Sequence, residues 1–178
     1  MEKQFVKLTS GFLSMNRLLL FLLIASPLTL RITSLPENDY RALNLLLACT
    51  GGICLSGWIF AIGHKANRKL ISQGMNANYF KLFNLAFIAV VISFILIISF
   101  GTEVNSTINN IKIHYVTPAY LFFIFGVGFF VALVIAAKTL VSVELNKDAR
   151  VGEYFSTLLL MLFAILGLWF IQPRVQNI

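Results

Sequence analysis

Charge is scarce in this chain. Lys, Arg, Asp and Glu make up 12% of its residues, about half of what a soluble domain uses to cover its surface. With two histidines and two cysteines, the usual ligands for a metal site are also few. His64 and His114 lie on opposite sides of the membrane in the topology developed below, so they share neither a metal nor a triad. Cys49 and Cys54 are five residues apart on a helix and point to different faces, so they cannot pair with each other. They read as small apolar packing residues. The patterns HExxH, CxxC and GxSxG and the phosphate-cradling glycine loop are missing. No catalytic, cofactor-binding or metal-ligating residue is therefore expected, and no cofactor.

What fills the chain instead is apolar. Hydrophobic residues make up 58% of it and the mean hydropathy is +0.86. A crossing helix needs about 20 apolar residues, and five such segments appear, near residues 18–35, 42–63, 83–100, 120–137 and 154–171. The expected fold is all-α, a polytopic membrane bundle of four to five transmembrane segments forming one domain over residues 1–178. The three middle segments contain no Asp, Glu, Lys, Arg or His. The first is short and expected to be kinked by Pro27, which removes a helix hydrogen bond, with Ser26 and Thr29 available to re-satisfy the backbone. The fifth is also short, so it either crosses or re-enters, and Pro173 is expected to stop it.

Orientation follows from the basic residues. With the N-terminus in the cytoplasm and five crossings, Lys3, Lys7, Arg17, Lys65, Arg68, Lys69, Lys81, Lys138, Lys147 and Arg150 lie inside. Arg31, Arg41, Lys112 and Arg174 lie outside, which is ten against four of the fourteen Lys and Arg. That bias obeys the positive-inside rule. If the fifth segment is re-entrant, Arg174 joins the inside set and the C-terminus changes sides. In this setting the net charge of +7 points to orientation and anionic headgroups, not nucleic acid.

The connections carry their own signals. Residues 1–17 place Phe5, Leu8, Phe12 and Met15 at helical spacing, with Lys3 and Lys7 off that stripe, which fits either a helix lying on the cytoplasmic membrane surface or a frayed basic tail. Pro36, Glu37, Asn38 and Asp39 form a polar turn. His64 to Lys81 is basic and continues helix two until Gly74 breaks it, with Asn78 placed to cap helix three. Ile111, Ile113 and Tyr115 alternate, which predicts a short extended segment. Asn105-Ser106-Thr107 matches a glycosylation sequon that matters only in a eukaryotic secretory membrane.

Two features remain for function. Small residues recur at four-residue spacing, with Ala48, Gly52 and Ser56 in helix two and Gly128, Ala132 and Ala136 in helix four. Gly51 and Gly57 flank the first stripe. Such stripes let backbones approach closely, either within one chain or against a partner protein or a second copy. Glu144, Lys147, Asp148, Arg150 and Glu153 form the densest mixed-charge cluster, a solvated loop or a docking surface.

Ala137 to Leu145, reading AKTLVSVEL, and Trp169 to Gln176, reading WFIQPRVQ, resemble segments of small uncharacterised multi-pass inner-membrane proteins of the Bacteroidetes. Between them that family pattern has an acidic-aromatic helix start and a Pro-Ile-Gly kink, where this chain has Ser156, Thr157 and Ala164-Ile165-Leu166-Gly167. The resemblance implies a bacterial inner membrane and no known activity.

Together these readings make the expected function a non-catalytic subunit or scaffold of a membrane complex, with the lipid bilayer and a membrane protein or a second copy as partners. The alternative is an oligomeric channel or transporter component using Asn44, Thr50, Ser56 and Asn84. An intramembrane enzyme stands behind both.

Overall fold

A computed structural model describes residues 10–32, 41–75, 79–100, 106–108, 111–113 and 119–178. Several expectations lie outside the described residues: the stripe at Phe5 and Leu8, the turn at Pro36 to Asp39, the Asn78 cap, Asn105 of the sequon, His114 and Tyr115. The side chains of Asn44 and Ala48 are outside them too.

Among the described residues the regular structure is helical apart from one small pair of strands. Helices run over Arg17–Ile32 (α1), Arg41–Ser72 (α2), Tyr79–Phe100 (α3), Ala119–Leu145 (α4), Val151–Leu162 (α5) and Ala164–Asn177 (α6). Residues 10–14 form a further helical turn. Strands Ser106–Ile108 (β1) and Ile111–Ile113 (β2) pair antiparallel, with Thr107 opposite Lys112. The extended segment expected around Ile111 and Ile113 is therefore a hairpin strand. Among the described residues, two helical stretches are long and apolar enough to cross a membrane, Tyr79–Ser99 and Tyr120–Leu145.

Helix ends follow local chemistry. Asn16 caps α1, its Oδ1 accepting from the Leu18 N–H at 3.0 Å. Beyond α2, Gly74 takes a positive φ of 75°. The Met75 N–H then bonds Leu70 O and the Gly74 N–H bonds Ile71 O, the paired bonds of a Schellman end. Asn146 ends α4 in the same way at φ 50°, with Lys147 N–H on Ser142 O and Asn146 N–H on Val143 O. Asparagine tolerates this left-handed conformation better than most side chains do.

Contacts divide the chain into two compact units, residues 1–77 with 133–178, and residues 78–132. In the larger unit α1 packs on α2 and on α6, and α2 also meets α6. Trp58, Ile59, Ile62, Leu133, Leu140, Leu168 and Ile171 are fully buried there. In the smaller unit, Phe94, Phe125 and Phe129 form a chain of ring contacts at 6.1 and 5.9 Å. A Cβ on Gly128 would lie 3.2 Å from Ala86 O and from Val90 Cγ2. This glycine seats α4 closely against α3, the approach that small residues permit.

The fifth expected segment is not one helix. It breaks at Phe163, whose ψ of 63° leaves the helical region, and the two pieces fold back on each other. The proof is the bond from Arg174 Nη1 to Thr157 Oγ1, 3.1 Å long between residues 17 apart. In one straight helix those positions would be about 25 Å apart. Gly167 permits the reversal, since a Cβ there would stand 2.1 Å from the Leu160 carbonyl oxygen. Pro173 does not stop the chain either; α6 continues through it to Asn177.

Candidate functional site

The polar groups of the larger unit converge where helix ends meet. On α2, His64, Lys65, Arg68, Lys69 and Ser72 follow one another at intervals of one and three residues, so they share one helix face. Opposite them stand Ser10, Leu13 and Ser14 of the N-terminal turn and Gln176 and Ile178 at the end of α6. Together they enclose a cleft of about 590 Å³.

Each wall is held by a specific bond. Lys65 Nζ donates to Val175 O at 2.6 Å and to Gln176 O at 3.4 Å. An ammonium at the last carbonyls of α6 also complements the helix dipole. Burial, and then the neighbouring Lys69, lower the proton affinity of Lys65. On the other wall, Gln172 is fully buried. Its Nε2 donates to Met15 O at 2.9 Å and Leu13 O at 3.3 Å, and Gln176 Nε2 also donates to Leu13 O at 2.8 Å. Two amides one turn apart thus hold the carbonyl end of the 10–14 turn. Phe12 anchors the same turn at Gly57, where a Cβ would meet its ring at 2.5 Å. The described part of the N-terminal stretch is therefore tied to α2 and α6.

The charged connection after α4 is tied to α4, α5 and α6 by its side chains. Glu144 takes two hydrogen bonds from Arg174, Lys147 pairs with Glu153, and Lys138 pairs with Asp148 at 3.0 Å. The Arg150 N–H bonds Glu153 Oε2 at 2.7 Å at the start of α5. The bonds from Lys147 and from the Arg150 backbone hold the Glu153 carboxyl below its usual range. Ser142 Oγ accepts the Ala149 N–H at 3.0 Å. Four of the five charged residues expected as a docking surface, Glu144, Lys147, Asp148 and Glu153, are engaged through their side chains within the chain, and Arg150 through its backbone N–H.

The small-residue stripes are distributed unequally. Gly128, Ala132 and Ala136 are buried, whereas Gly52 and Ser56 are half-buried. Among the polar residues considered for a conducting path, Thr50 Oγ1 bonds the Leu46 carbonyl of its own helix at 2.8 Å, and Ser56 and Asn84 are half-buried. Asn67 Nδ2 bonds Gly63 O in the same manner.

Sequence reasoning saw the basic stretch of α2 but not the cleft, and it missed the roles of Gln172, Gln176 and Arg174. The four-residue spacing of the two glutamines, repeated beside an arginine near a proline, was the available signal. Trp58 was missed as well. It is fully buried, and its Nε1 has no partner among the described residues.

The described chain is thus helical with one small hairpin, has two helices of membrane-crossing length, and bears a basic cleft at its helix ends. It matches no protein-family model, no curated protein and no solved structure.

Proposed function

We propose that this chain is a non-catalytic multi-pass membrane protein that serves as a subunit or scaffold of a membrane complex. The observation that carries the reading is the use made of its polar groups. Arg174, Glu144, Lys147, Lys138, Gln172, Gln176 and Lys65 each bond another part of the chain, so they act as structural ties. The membrane part is supported by apolar exposure. Leu82, Leu85, Ile88, Ile92 and Ile95 recur along one side of α3, and Phe122, Phe123, Val127 and Phe130 are exposed on α4. Such surfaces suit lipid tails.

In this reading α1 to α4 cross the bilayer and α5–α6 form a re-entrant hairpin. Its arms of 12 and 14 residues fold back on each other, so that Arg174 in the second reaches Thr157 in the first and Glu144 at the end of α4. The N-terminus, the end of α2, the 146–150 connection and the C-terminal residues then share the cytoplasmic side. Arg174 joins the inside set and the positive-inside bias becomes eleven to three. The likeness of Ala137–Leu145 and Trp169–Gln176 to Bacteroidetes proteins adds a bacterial inner membrane. Glu144 and Arg174, which pair, come one from each of those segments.

One observation favours a second reading, a channel or transporter component. A discontinuous helix places a helix N-terminus at Ala164, inside an otherwise apolar hairpin, and half-helix ends of this kind hold ions and anionic groups in carriers. Purification of the full chain from its native membrane in mild detergent separates the two. A scaffold brings down a partner in fixed stoichiometry, and recovery as a lone monomer overturns that reading. Solute or ion flux in liposomes containing this chain alone supports the second.

A further inference from the structure

The cleft between the 10–14 turn, α2 and the end of α6 combines size, charge and position. At about 590 Å³ it lies within the range of small-ligand pockets. His64, Lys65, Arg68 and Lys69 line one side, and no Asp or Glu side chain is among its described lining residues. Lys65 is fixed by the Val175 carbonyl and stands one turn from Lys69, which repels it. An anion seated between the two ammonium groups would offset that repulsion. The planar guanidinium of Arg68 suits paired oxygens of a phosphate. Ser14 and Ser72 donate to Gly11 O and Lys69 O, so recognition falls to the cations.

Position adds a further reason. The apolar part of α2 ends at Gly63 and the basic face begins at His64. In a bilayer that boundary lies at headgroup depth, where basic pockets between helices take lipid phosphates. We propose that this cleft binds a phosphate-bearing anion, supplied either by an anionic lipid headgroup or by a soluble phosphate compound. The lipid source rests on the membrane reading above; the anion site does not.

The full chain in a neutral detergent is titrated with short-chain phosphatidylglycerol, with short-chain phosphatidylcholine, and separately with pyrophosphate. Binding is read by native mass spectrometry and by the shift in melting temperature. The test variant carries Arg68→Gln and Lys69→Gln, two exposed residues, and its melting temperature without ligand is compared with that of wild type to check the fold. The control carries Lys147→Gln, a cation of the 146–150 connection. Saturable binding of phosphatidylglycerol over phosphatidylcholine, weakened about fivefold for each charge removed and unchanged in the control, supports a lipid ligand. The same pattern with pyrophosphate and no lipid preference supports a soluble one. Equal weakening by Lys147→Gln shows diffuse charge attraction and overturns the site, as does absence of binding by either anion. Release of the chain from native membranes by alkaline carbonate would sink the membrane reading, while the pyrophosphate titration would still decide the cleft.

Discussion

Arg174 and Glu144 stand thirty residues apart and meet through two parallel hydrogen bonds, Nε to Oε1 at 2.8 Å and Nη2 to Oε2. Had all five apolar segments crossed a bilayer, these residues would have faced opposite compartments. Their pairing, with Thr157 held by the same guanidinium, is what closes the α5–α6 hairpin onto the end of α4.

Charge reversal at this pair tests the closure. Glu144→Arg or Arg174→Glu alone should destabilise the folded chain by about 2 to 3 kcal/mol, as expected for a partly buried bidentate pair that loses its partner. The double reversal should recover part of the loss. A double-mutant cycle on detergent-solubilised protein measures the coupling, and strict additivity of the two single variants would refute it.

Gly167→Ala should be far more damaging than other glycine replacements. Its Cβ would overlap the Leu160 backbone carbonyl, which cannot swing away as a side-chain tip can. A loss of about 3 kcal/mol or more, or failure to fold, is expected. Gly126→Ala in α4, where a Cβ meets nothing within 4 Å, should be neutral or stabilising by up to about 1 kcal/mol. Parallel thermal melts of the two variants give the comparison.

Gln172→Leu keeps the buried volume but removes both donors to Leu13 O and Met15 O. The variant should lose about 1 to 3 kcal/mol. Gln176 still holds Leu13 O, so the 10–16 stretch should loosen without the whole unit unfolding. Hydrogen exchange that accelerates over residues 10–16 and spares α4 is the expected pattern.

The depressed pKa of Glu153 sets a pH dependence. A carboxyl whose folded pKa lies below its unfolded value stabilises the fold above the unfolded pKa, and loses that contribution as pH falls through the folded one. Wild type should therefore melt higher than Glu153→Gln at pH 7. The gap should close below the ordinary value of 4.5 as Glu153 is protonated and the bonds from Lys147 and Arg150 lose their charged acceptor. Melting curves of both proteins from pH 7 to pH 3 check the sign.

Topology has a direct readout. With Cys49 and Cys54 replaced by Ala, single cysteines at Lys147 and Asn177 should react with an impermeant thiol reagent from the same side of sealed vesicles. Labelling from opposite sides would break the re-entrant hairpin reading.

Much of the secondary structure was legible in the residues. The described residues of the five apolar segments are helical except at the Phe163 break, Gly74 ends a helix through a left-handed conformation, and the alternation at Ile111 and Ile113 is a strand. These features arise from local rules, since hydropathy, capping and φ preference act within a few residues. Pro173 shows where a local rule fails. Its missing N–H should end a helix, yet α6 continues because tertiary bonds hold the final turn. Lys65 takes Val175 O, Arg174 is fixed by Glu144, and Gln176 is fixed by Leu13 O.

By itself, then, the sequence determined a predominantly helical chain of apolar segments with basic ends and polar turns. Composition and periodicity carry that information wherever the chain goes. The reversal at Phe163, the pairing of Arg174 with Glu144 and the closing of a basic cleft around Lys65 were decided only in three dimensions. Each depends on contacts between residues far apart in the chain, such as Gln172 with Met15 or Lys65 with Val175. No local spacing encodes which distant carbonyl a buried amide or ammonium will find.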